Sequence, residues 1–266
     1  MKKISVIMGL YNCADTLEEA VGSIDGQTYS NWELILCDDG SSDQTWAIAQ
    51  AIQDRHPDRI ILLKNPRNLG LNRTLNRCLA AATGEYIARM DADDLCSPDR
   101  FAVEAGFLDA HPEYAFVSTG MEHFDEQGTW GCQRHPPEPA AEDFVRGTPF
   151  NHAAAMVRRE AYEAVGGYSE EEKYLRVEDY NLWIRLYARG FRGRNLEEIL
   201  YRMRDDRNAY SRRKFVYRIN EARVIALAVK ALDLPVWQYV HTLRPILVGL
   251  MPPGIYDRLH KKRLKK

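Results

Sequence analysis

The first ninety residues alternate between short apolar runs and amphipathic stretches. Four strands are predicted from runs rich in branched apolar residues, at Ile4–Met8, Glu33–Cys37, Ile60–Lys64 and Tyr86–Met90. Helices are predicted between them from apolar residues at helical spacing, over Leu17–Ile24, from Thr45 onward and over Leu71–Ala82. This alternation predicts an α/β fold, with a mostly parallel sheet covered by helices on both faces.

Polar residues and glycines predict where these helices begin and end. Asp15, followed three residues later by Glu18, is typical of an N-terminal cap for the first helix. The polar cluster Asp38–Asp43 predicts a turn that can also cap the second helix. Gly84 predicts the end of the third helix, as the residue just beyond its last turn.

The pattern is less regular after Pro98. Helices and strands are predicted in turn, at Arg100–Ala110 (helix), Phe116–Met121 (strand), Arg159–Val165 (helix), from Glu178 to Gly190 (helix) and at Leu196–Met203 (strand). A turn is predicted at Asp125–Gly128. From Tyr210 onward the chain is predicted to be helical, with breaks at Pro235, Pro245 and Pro252–Pro253.

The composition is that of a soluble globular protein, with 266 residues, 45% of them apolar and 28% charged. No stretch approaches the roughly 18–20 apolar residues of a spanning helix, which excludes a multi-pass membrane protein. The apolar run Ile4–Leu10 is too short to predict a secretory signal. Five scattered cysteines without a CxxC pair predict reduced thiols and a cytoplasmic location.

The C-terminal residues combine an apolar stretch with positive charge. Leu243–Met251 is mostly apolar, and Arg258–Lys266 contains six Lys or Arg and no acid. We expect this tail to contact the anionic inner face of the cell membrane, since each such cation contributes about 1 kcal/mol there. The alternative is a solvated, frayed terminus. Nucleic-acid binding is not expected, because the remainder of the chain is acidic and contains no base-reading motif.

Three acidic segments are candidates for chemistry. Asp91 and Asp93 follow a predicted strand, and carboxylate oxygens suit Mg²⁺ or Mn²⁺. The cluster at Asp38–Ser42 offers carboxylates to the N–H groups of a base, and Glu178–Asp179 offers a proton acceptor at a helix start. Taken singly, each segment is better explained by a solvated turn or a helix cap than by a functional role. The first two follow parallel strands and should face one crevice.

Five segments, read in order, resemble the family 2 glycosyltransferases. They are Ile4–Met8 with Tyr11-Asn12, Asp38-Asp39-Gly40-Ser41-Ser42-Asp43, Asn68-Leu69-Gly70-Leu71, Gly84–Asp94, and Glu178-Asp179-Tyr180-Asn181-Leu182-Trp183-Ile184-Arg185. The likeness covers roughly residues 4–205. It implies a GT-A fold, which is Rossmann-like, and inverting transfer of a single sugar from a nucleotide sugar, most often a UDP-sugar. The acceptor implied is a hydroxyl of a saccharide or lipid-linked saccharide, in polysaccharide or glycolipid biosynthesis.

The resemblance also implies an organisation of the chain. Residues 1–205 form the GT-A catalytic domain, with a nucleotide-sugar-binding half at 1–98 and an acceptor-binding half at 99–205. Residues 206–266 form a helical extension that ends in the basic tail. The sequence leaves the oligomeric state open.

Site roles carried over from the family fall on the matching residues. The base is recognised by Asp39 with its neighbour Asp38, and the nucleoside pocket is lined by Gly9, Leu10, Tyr11 and Asn12. In the segment Asp91-Ala92-Asp93, Asp91 faces the ribose or the metal and Asp93 binds the cation, Mn²⁺ or Mg²⁺. Asp179 is the catalytic base, with Glu178 beside it. Weaker candidates are Arg73 and Arg89, for phosphate or local ion pairs, and His152, for an acceptor or phosphate contact.

The chain departs from the family pattern at one candidate metal ligand. Relatives often carry a His after the last strand, and Arg204 stands at that position here, where we expect it to touch the diphosphate instead. The chain also lacks the Gln-x-x-Arg-Trp motif of processive relatives, which favours single addition over polymer synthesis.

Two other functions fit part of this sequence pattern. A nucleotidyltransferase also uses a Rossmann-like sheet with carboxylate-bound Mg²⁺, but it would carry a Gly-rich basic loop where this chain has Met8–Asn12. A nucleotide-sugar-binding protein without turnover is disfavoured by the presence of Asp91, Asp93 and Asp179.

Overall fold

The computed structural model describes residues 1–205 and 214–251, and the elements below belong to that part of the chain. The strands are β1 (Ile4–Leu10), β2 (Trp32–Asp38), β3 (Ile60–Lys64), β4 (Tyr86–Arg89), β5 (Leu95–Cys96), β6 (Phe116–Asp125), β7 (Gly128–Gln133), β8 (Ala155–Arg158) and β9 (Gly193–Arg204). The helices are α1 (Leu17–Asp25), α2 (Thr45–Arg55), α3 (Leu71–Ala81), α4 (Arg100–Ala110), α5 (Arg159–Val165), α6 (Glu178–Ala188), α7 (Phe215–Ala231) and α8 (Leu243–Gly249). Short 3₁₀ helices occur at Ala141–Val145, Glu172–Tyr174 and Val236–Thr242.

One mixed sheet joins the two halves of the chain, in the order β3-β2-β1-β4-β8-β6-β9-β5, with β7 paired to β6. Strands β1 to β4 are parallel to one another, which confirms the predicted parallel half. Their carboxyl ends therefore share one edge, where Leu10 lies opposite Asp38. Beyond β4 the sheet is mixed, because β8 runs antiparallel to both β4 and β6.

Helices cover both faces of the sheet, as predicted. Along β1, Val6 and Met8 pack into one core with Leu17 of α1, while Ile7 points into a second core with Trp183 of α6. Successive side chains of a strand point to opposite faces, so a strand covered on both sides is apolar throughout. This explains why β1 and β2 are continuous apolar runs.

Three strands were not predicted from the sequence. Strand β5 has two residues, and β7 forms a hairpin with β6 through the predicted turn at Asp125–Gly128. Strand β8 is only four residues long, Ala-Met-Val-Arg, and its apolar residues also suit a helix. Its conformation is decided by the vacant edges of β4 and β6, between which it completes the sheet.

One predicted helix cap and one predicted helix end are wrong. Helix α1 begins after Thr16 rather than at an Asp15 cap, and the Thr16 hydroxyl donates to the Ala92 carbonyl at 2.9 Å. Helix α3 ends at Ala81, so Gly84 does not terminate it. Gly84 instead lies against β1, where an added Cβ would stand 2.6 Å from the Lys3 carbonyl oxygen. The glycine permits close backbone approach.

The described residues after 205 pack onto α6 and the core that contains Trp183. Val224, Ile225 and Ala228 of α7 are buried in the same core as Trp183. Pro245 lies inside the first turn of α8, where a proline is tolerated. The predicted break at Pro245 is therefore wrong. The predicted basic tail at 258–266 lies outside the described residues. Across residues 1–205 and 214–251, each helix is too short or too polar to cross a membrane.

Candidate active site

The loops that follow β1 and β2 are tied to one another. The side-chain oxygen of Asn12 accepts from the Ser42 backbone N–H at 2.9 Å, and the Asn12 N–H donates to the Ser41 hydroxyl at 3.0 Å. Asn12 has φ of 50°, a left-handed conformation that Asn tolerates better than most residues. Tyr11, the residue before Asn12, is 52% exposed. Leu10 is buried, and Gly9 lies close to Thr74. The loops thus present an exposed aromatic ring at the sheet edge.

The two carboxylates at the end of β2 have different surroundings. Asp39 is buried and accepts from the Asn65 amide at 2.7 Å and from the backbone N–H groups of Leu69 and Gly70 at 2.8 and 2.9 Å. It therefore fixes the loop before α3. Oδ1 of Asp38 accepts from the Ser41 N–H at 3.2 Å, and its buried Oδ2 has no hydrogen-bond partner among the described residues.

The acidic segment after β4 divides its carboxylates among three roles. Asp91 forms an ion pair with the buried guanidinium of Arg89. Asp94 is buried and accepts from the Tyr201 hydroxyl at 2.8 Å and from the Arg204 N–H at 2.7 Å. Asp93 is exposed, and partial desolvation followed by the charge of Asp91 raises its pKa. A nearby positive ion is therefore favourable at Asp93.

Asp94→Ala is expected to lower the free energy of unfolding by about 1–3 kcal/mol, because two buried donors on β9 lose their acceptor. Denaturant unfolding of the purified protein measures this change. Asp93→Ala is the matched control, and a change within about 0.5 kcal/mol is expected for that exposed side chain. Equal loss of stability in both variants would contradict the separate roles of the two aspartates.

Arg204 lies at the position where relatives often have a His. Its Nε donates to the Asp93 carbonyl at 3.0 Å, and its Nη2 lies 2.5 Å from a carboxylate oxygen of Glu19. The guanidinium is a permanent donor and cannot ligate a metal. It brings positive charge beside Asp93 and lowers the pKa of that carboxyl, against the larger effect of desolvation.

Arg89 connects the acidic segment to the second half of the site. Burial disfavours its charge, but the neighbouring Asp91 outweighs this and raises the pKa of Arg89. The same guanidinium lowers the pKa values of Asp93, His152 and Glu178. These groups therefore lie within electrostatic range of Arg89.

Helix α6 presents its first turn to this region. Glu178 and Asp179 are its first two residues, where the helix dipole favours negative charge. Burial, together with the charge of Asp179, raises the pKa of Glu178 to about 7. Arg176, two residues before the helix, adopts φ of 68°, which turns the chain sharply ahead of α6.

Glu178→Gln is expected to raise the free energy of unfolding at pH 8 by about 1–3 kcal/mol. The folded pKa of about 7 lies above the ordinary value, so the native state disfavours the ionised form. The penalty is absent below about pH 4, where both folded and unfolded states are protonated, grows between the ordinary pKa and about 7, and is constant above that. Unfolding at pH 4 and 8, with the exposed Glu172→Gln as control, measures it. The same gain at both pH values would contradict this account.

His152 is packed and neutral. Its Nε2 lies 2.7 Å from the Tyr168 hydroxyl, and its ring contacts Trp183 edge-on at 5.9 Å between centroids. Burial and, secondarily, the charge of Arg89 lower the pKa of His152 well below its usual range. A neutral ring offers a hydrogen bond to a ligand and no ionic contact to phosphate.

A cavity of about 570 Å³ lies in front of the first turn of α6. Its wall is formed by three segments between residues 147 and 180 and by the start of α7, namely Gly147, Thr148, His152, Arg176, Val177, Glu178, Asp179, Tyr180, Tyr217, Arg218 and Glu221. This volume falls within the range of small-ligand sites. The cavity places Asp179 where a bound hydroxyl can reach it.

Arg73 and the predicted metal site differ from the other predicted site features. Arg73 forms an exposed ion pair with Glu170 at 3.2 Å, which matches the local-pairing alternative. Within residues 1–205 and 214–251, no group of three or more His, Cys, Asp or Glu side chains is placed to hold a metal. Within the acidic segment, Asp94 is bonded to β9, and Asp91 and Asp93 are the remaining carboxylates.

Several site residues were missed by sequence reasoning. Tyr217, Arg218 and Glu221 lie in a helical stretch beyond the recognisable motifs, and no local signal pointed to them. Asp94 was visible within the acidic run, but its bond to Tyr201 depends on where β9 returns in the sheet.

A family model described as Glycosyl transferase family 2 matches residues 5–166, more than half of the chain. The chain is a family 2 glycosyltransferase. This membership confirms the sequence-based expectation and decides against the nucleotidyltransferase. The match includes Asp39, Asp91 and Asp93 and stops before Asp179, so the role of Asp179 depends on the motif at the start of α6.

Curated relatives of this glycosyltransferase cover nearly its whole length. EpsE of Bacillus subtilis (strain 168), which carries a glycosyltransferase name, is 45% identical over 98% of this chain and 94% of its own. The amylovoran biosynthesis glycosyltransferase AmsE of Erwinia amylovora is 30% identical over 98% and 99%. WfaP of Escherichia coli is 30% identical over 87% and 89%, and is named a UDP-Glc:alpha-D-GlcNAc-diphosphoundecaprenol beta-1,3-glucosyltransferase.

Solved structures support the GT-A fold of this transferase. Staphylococcus aureus TarS 1–349 in complex with UDP superposes with a TM-score of 0.68 at 20% identity, over 99% of this chain and 75% of that one. A longer TarS chain is matched over 43% of its length. The mannosyltransferase PcManGT of Pyrobaculum calidifontis, in complex with GDP-Man and Mn²⁺, superposes at 0.64 and 21% identity, over 98% and 79%. At these identities the likeness concerns the fold alone.

Proposed function

We propose that this glycosyltransferase transfers a single sugar from a nucleotide sugar, with inversion and with help from a divalent cation. The acceptor is a hydroxyl of a saccharide or lipid-linked saccharide, in polysaccharide or glycolipid biosynthesis. The observation that carries the proposal is the position of Asp179 on the wall of a ligand-sized cavity. Arg89 links that cavity electrostatically to the carboxylates at the end of β4.

The chain's own residues divide into an acceptor side and a donor side. Asp179 accepts the proton of the attacking hydroxyl as its oxygen bonds to the anomeric carbon. The bond from that carbon to the diphosphate breaks on the opposite face, which inverts the configuration. General-base assistance of this kind contributes about 10²–10⁴-fold, and the cavity supplies further acceleration by positioning the acceptor.

The donor nucleotide occupies the edge formed by the loops after β1 and β2. The exposed ring of Tyr11 is available to stack on the base. Asp38 and Asp39 provide the carboxylates for its N–H groups, and the unpartnered Oδ2 of Asp38 suits an additional donor. The same edge includes Gly9, Leu10 and Asn12. Ala92 lies next to it, and its carbonyl accepts from the Thr16 hydroxyl.

The donor atoms at the end of β4 fit a divalent cation. Asp93 is exposed, carries hard carboxylate oxygens and has a raised pKa, which a cation would reverse. Asp91 shares its carboxylate with Arg89 and serves as the second candidate ligand or as a ribose contact. When bound, Mn²⁺ or Mg²⁺ neutralises the diphosphate of the donor. Arg204 adds a fixed positive charge beside Asp93.

Names of related proteins support the substrate classes. UDP and GDP-Man are the donor-side ligands in the two structural neighbours, and Mn²⁺ accompanies GDP-Man. WfaP is named for transfer from UDP-Glc to a diphosphoundecaprenol-linked sugar. We place a UDP-sugar first among donors and a lipid-linked saccharide first among acceptors. The cytoplasmic location, at the inner face of the cell membrane, stays a prediction.

Release of nucleoside diphosphate from a panel of UDP-, GDP- and dTDP-sugars tests this function. Each reaction is run with Mn²⁺, Mg²⁺ or EDTA, and thermal shifts record nucleotide binding in parallel. Cation-dependent release from one donor is the expected result. Binding without release, even with saccharide acceptors present, would support the nucleotide-sugar-binding alternative. Absence of both binding and release would contradict the assignment of a nucleotide-sugar donor.

A further inference from the structure

A stripe of exposed apolar side chains follows α7. It consists of Val236, Trp237, Val240, Leu243, Leu247 and Leu250, and these residues are between 55% and 79% exposed. From Trp237 onward the members are three or four residues apart, which places these five on one side of the 3₁₀ helix Val236–Thr242 and of α8. Val236 adjoins Trp237 at the start of the 3₁₀ helix. We call this set the C-terminal apolar surface. The opposite side packs inward, where Gln238 and Pro245 are buried.

Exposure of this kind is unusual for the surface of a soluble monomer. Single exposed apolar residues are common, but a contiguous set with a large aromatic ring marks an interaction site. Thirteen large apolar residues are exposed in the described part of the chain, and ten of them lie between Phe215 and Met251. The concentration in one segment indicates a partner for this face.

The charges around the surface select the partner. From Leu234 to Met251, Arg244 is the one Lys, Arg, Asp or Glu in the sequence. The next fifteen residues, 252–266, contain six Lys or Arg against one Asp. An apolar face with Trp and flanking cations is complementary to an anionic bilayer, which offers both an acyl boundary and negative headgroups.

The surface lies beside the acceptor cavity. Helix α8 is in close contact with α7 at Gly249, near Phe215 and the stem of Arg218. Arg218 and its neighbour Tyr217 line the cavity. At the other end of α8, Arg244 donates to the Arg146 carbonyl at 2.5 Å, next to the cavity residue Gly147. A bilayer in contact with the C-terminal apolar surface therefore lies next to the cavity wall.

We propose that the C-terminal apolar surface seats this enzyme on anionic lipid, with its side chains in the headgroup boundary and the acceptor cavity alongside. The inference extends the proposed function, in which the acceptor is lipid-linked. It assigns the contact to a folded face of the described structure, in addition to the basic tail predicted from sequence. Such a contact holds the cavity at the height where a lipid-borne saccharide emerges.

Co-sedimentation of the full chain with vesicles tests the proposal. The vesicles contain phosphatidylglycerol and phosphatidylcholine at 3:7, or phosphatidylcholine alone. We expect the wild type to bind the anionic vesicles, and Trp237→Ser with Leu247→Glu to weaken this partition at least tenfold. Gln50→Glu on the exposed side of α2 adds the same charge far from the stripe and should bind as the wild type does.

Three results would overturn the proposal. The first is a wild type that does not bind anionic vesicles. The second is a double variant that binds normally while a variant with the tail cations replaced by Gln does not, which would assign the contact to the tail alone. The third is a concentration-dependent dimer in sedimentation velocity that the double variant abolishes without any vesicle effect.

Activity on a water-soluble acceptor separates this proposal from the enzymatic one. The double variant should release nucleoside diphosphate at the wild-type rate while it loses vesicle binding, and its thermal midpoint should be unchanged. Absence of release from every protein, the wild type included, would count against the proposed function and would leave the vesicle comparison interpretable.

Discussion

Replacing Asp179 by Asn is expected to lower kcat by about 10²–10⁴-fold, the usual contribution of a general base. The Asn side chain keeps the size and position of the Asp but cannot take the proton of the acceptor hydroxyl. Donor affinity should be retained, because Asp179 lines the acceptor cavity and the nucleotide loops lie at the end of β1 and β2. Single-turnover rates and the donor Kd, measured together, give the two quantities.

The matched control is Asp54→Asn, the same change at an exposed position of α2. It should leave kcat, donor Kd and thermal midpoint unchanged. A variant at Asp179 that turns over normally would remove the residue from the role of base. Glu178, the other carboxylate of that turn, would then be the candidate to examine, since its pKa of about 7 suits proton transfer near neutral pH.

Asp93→Ala is expected to lower kcat/KM by at least about 10²-fold, because even indirect supports of a metal site contribute 10–100-fold. The residual activity should no longer respond to added Mn²⁺ or Mg²⁺. Nucleoside diphosphate release, titrated with each cation for the wild type and the variant, measures both effects. Folding should be retained, since the Asp93 carboxylate is exposed.

Two comparisons make this result specific. Asp54→Ala controls for loss of a carboxylate elsewhere and should keep the cation response. Asp94→Ala reduces stability and should affect activity through β9 rather than through cation dependence. If Asp93→Ala retained full cation-dependent release, the acidic segment would have to be assigned a structural role, with the cation bound through other groups.

Local sequence was sufficient to predict the first half of the fold. Ile60–Lys64 and Arg100–Ala110 were predicted with the bounds that the structure shows, because strand and helix periodicity are properties of neighbouring residues. The motif residues Asp39 and Asp91 could be assigned to strand ends for the same reason. A parallel arrangement then follows from strand–helix alternation alone.

Sites built from distant segments could not be predicted. The short strand β8 has an ambiguous pattern and becomes a strand because β4 and β6 leave a place for it. Tyr217 and Arg218 reach the cavity because α7 packs its buried side against α6. Helical periodicity identifies an apolar side but does not say which partner covers it.

The sequence by itself determined the family, the order of the N-terminal strands and helices, and the residue types at the candidate catalytic positions. Only the tertiary structure decided that Arg89 pairs with Asp91, that Asp94 bonds to Tyr201, and that α7 forms part of the wall of the cavity beside Asp179. The physical reason is the range of the interactions. Periodicity and capping act between residues a few positions apart, whereas burial, ion pairing and cavity shape depend on which surfaces meet when the chain folds.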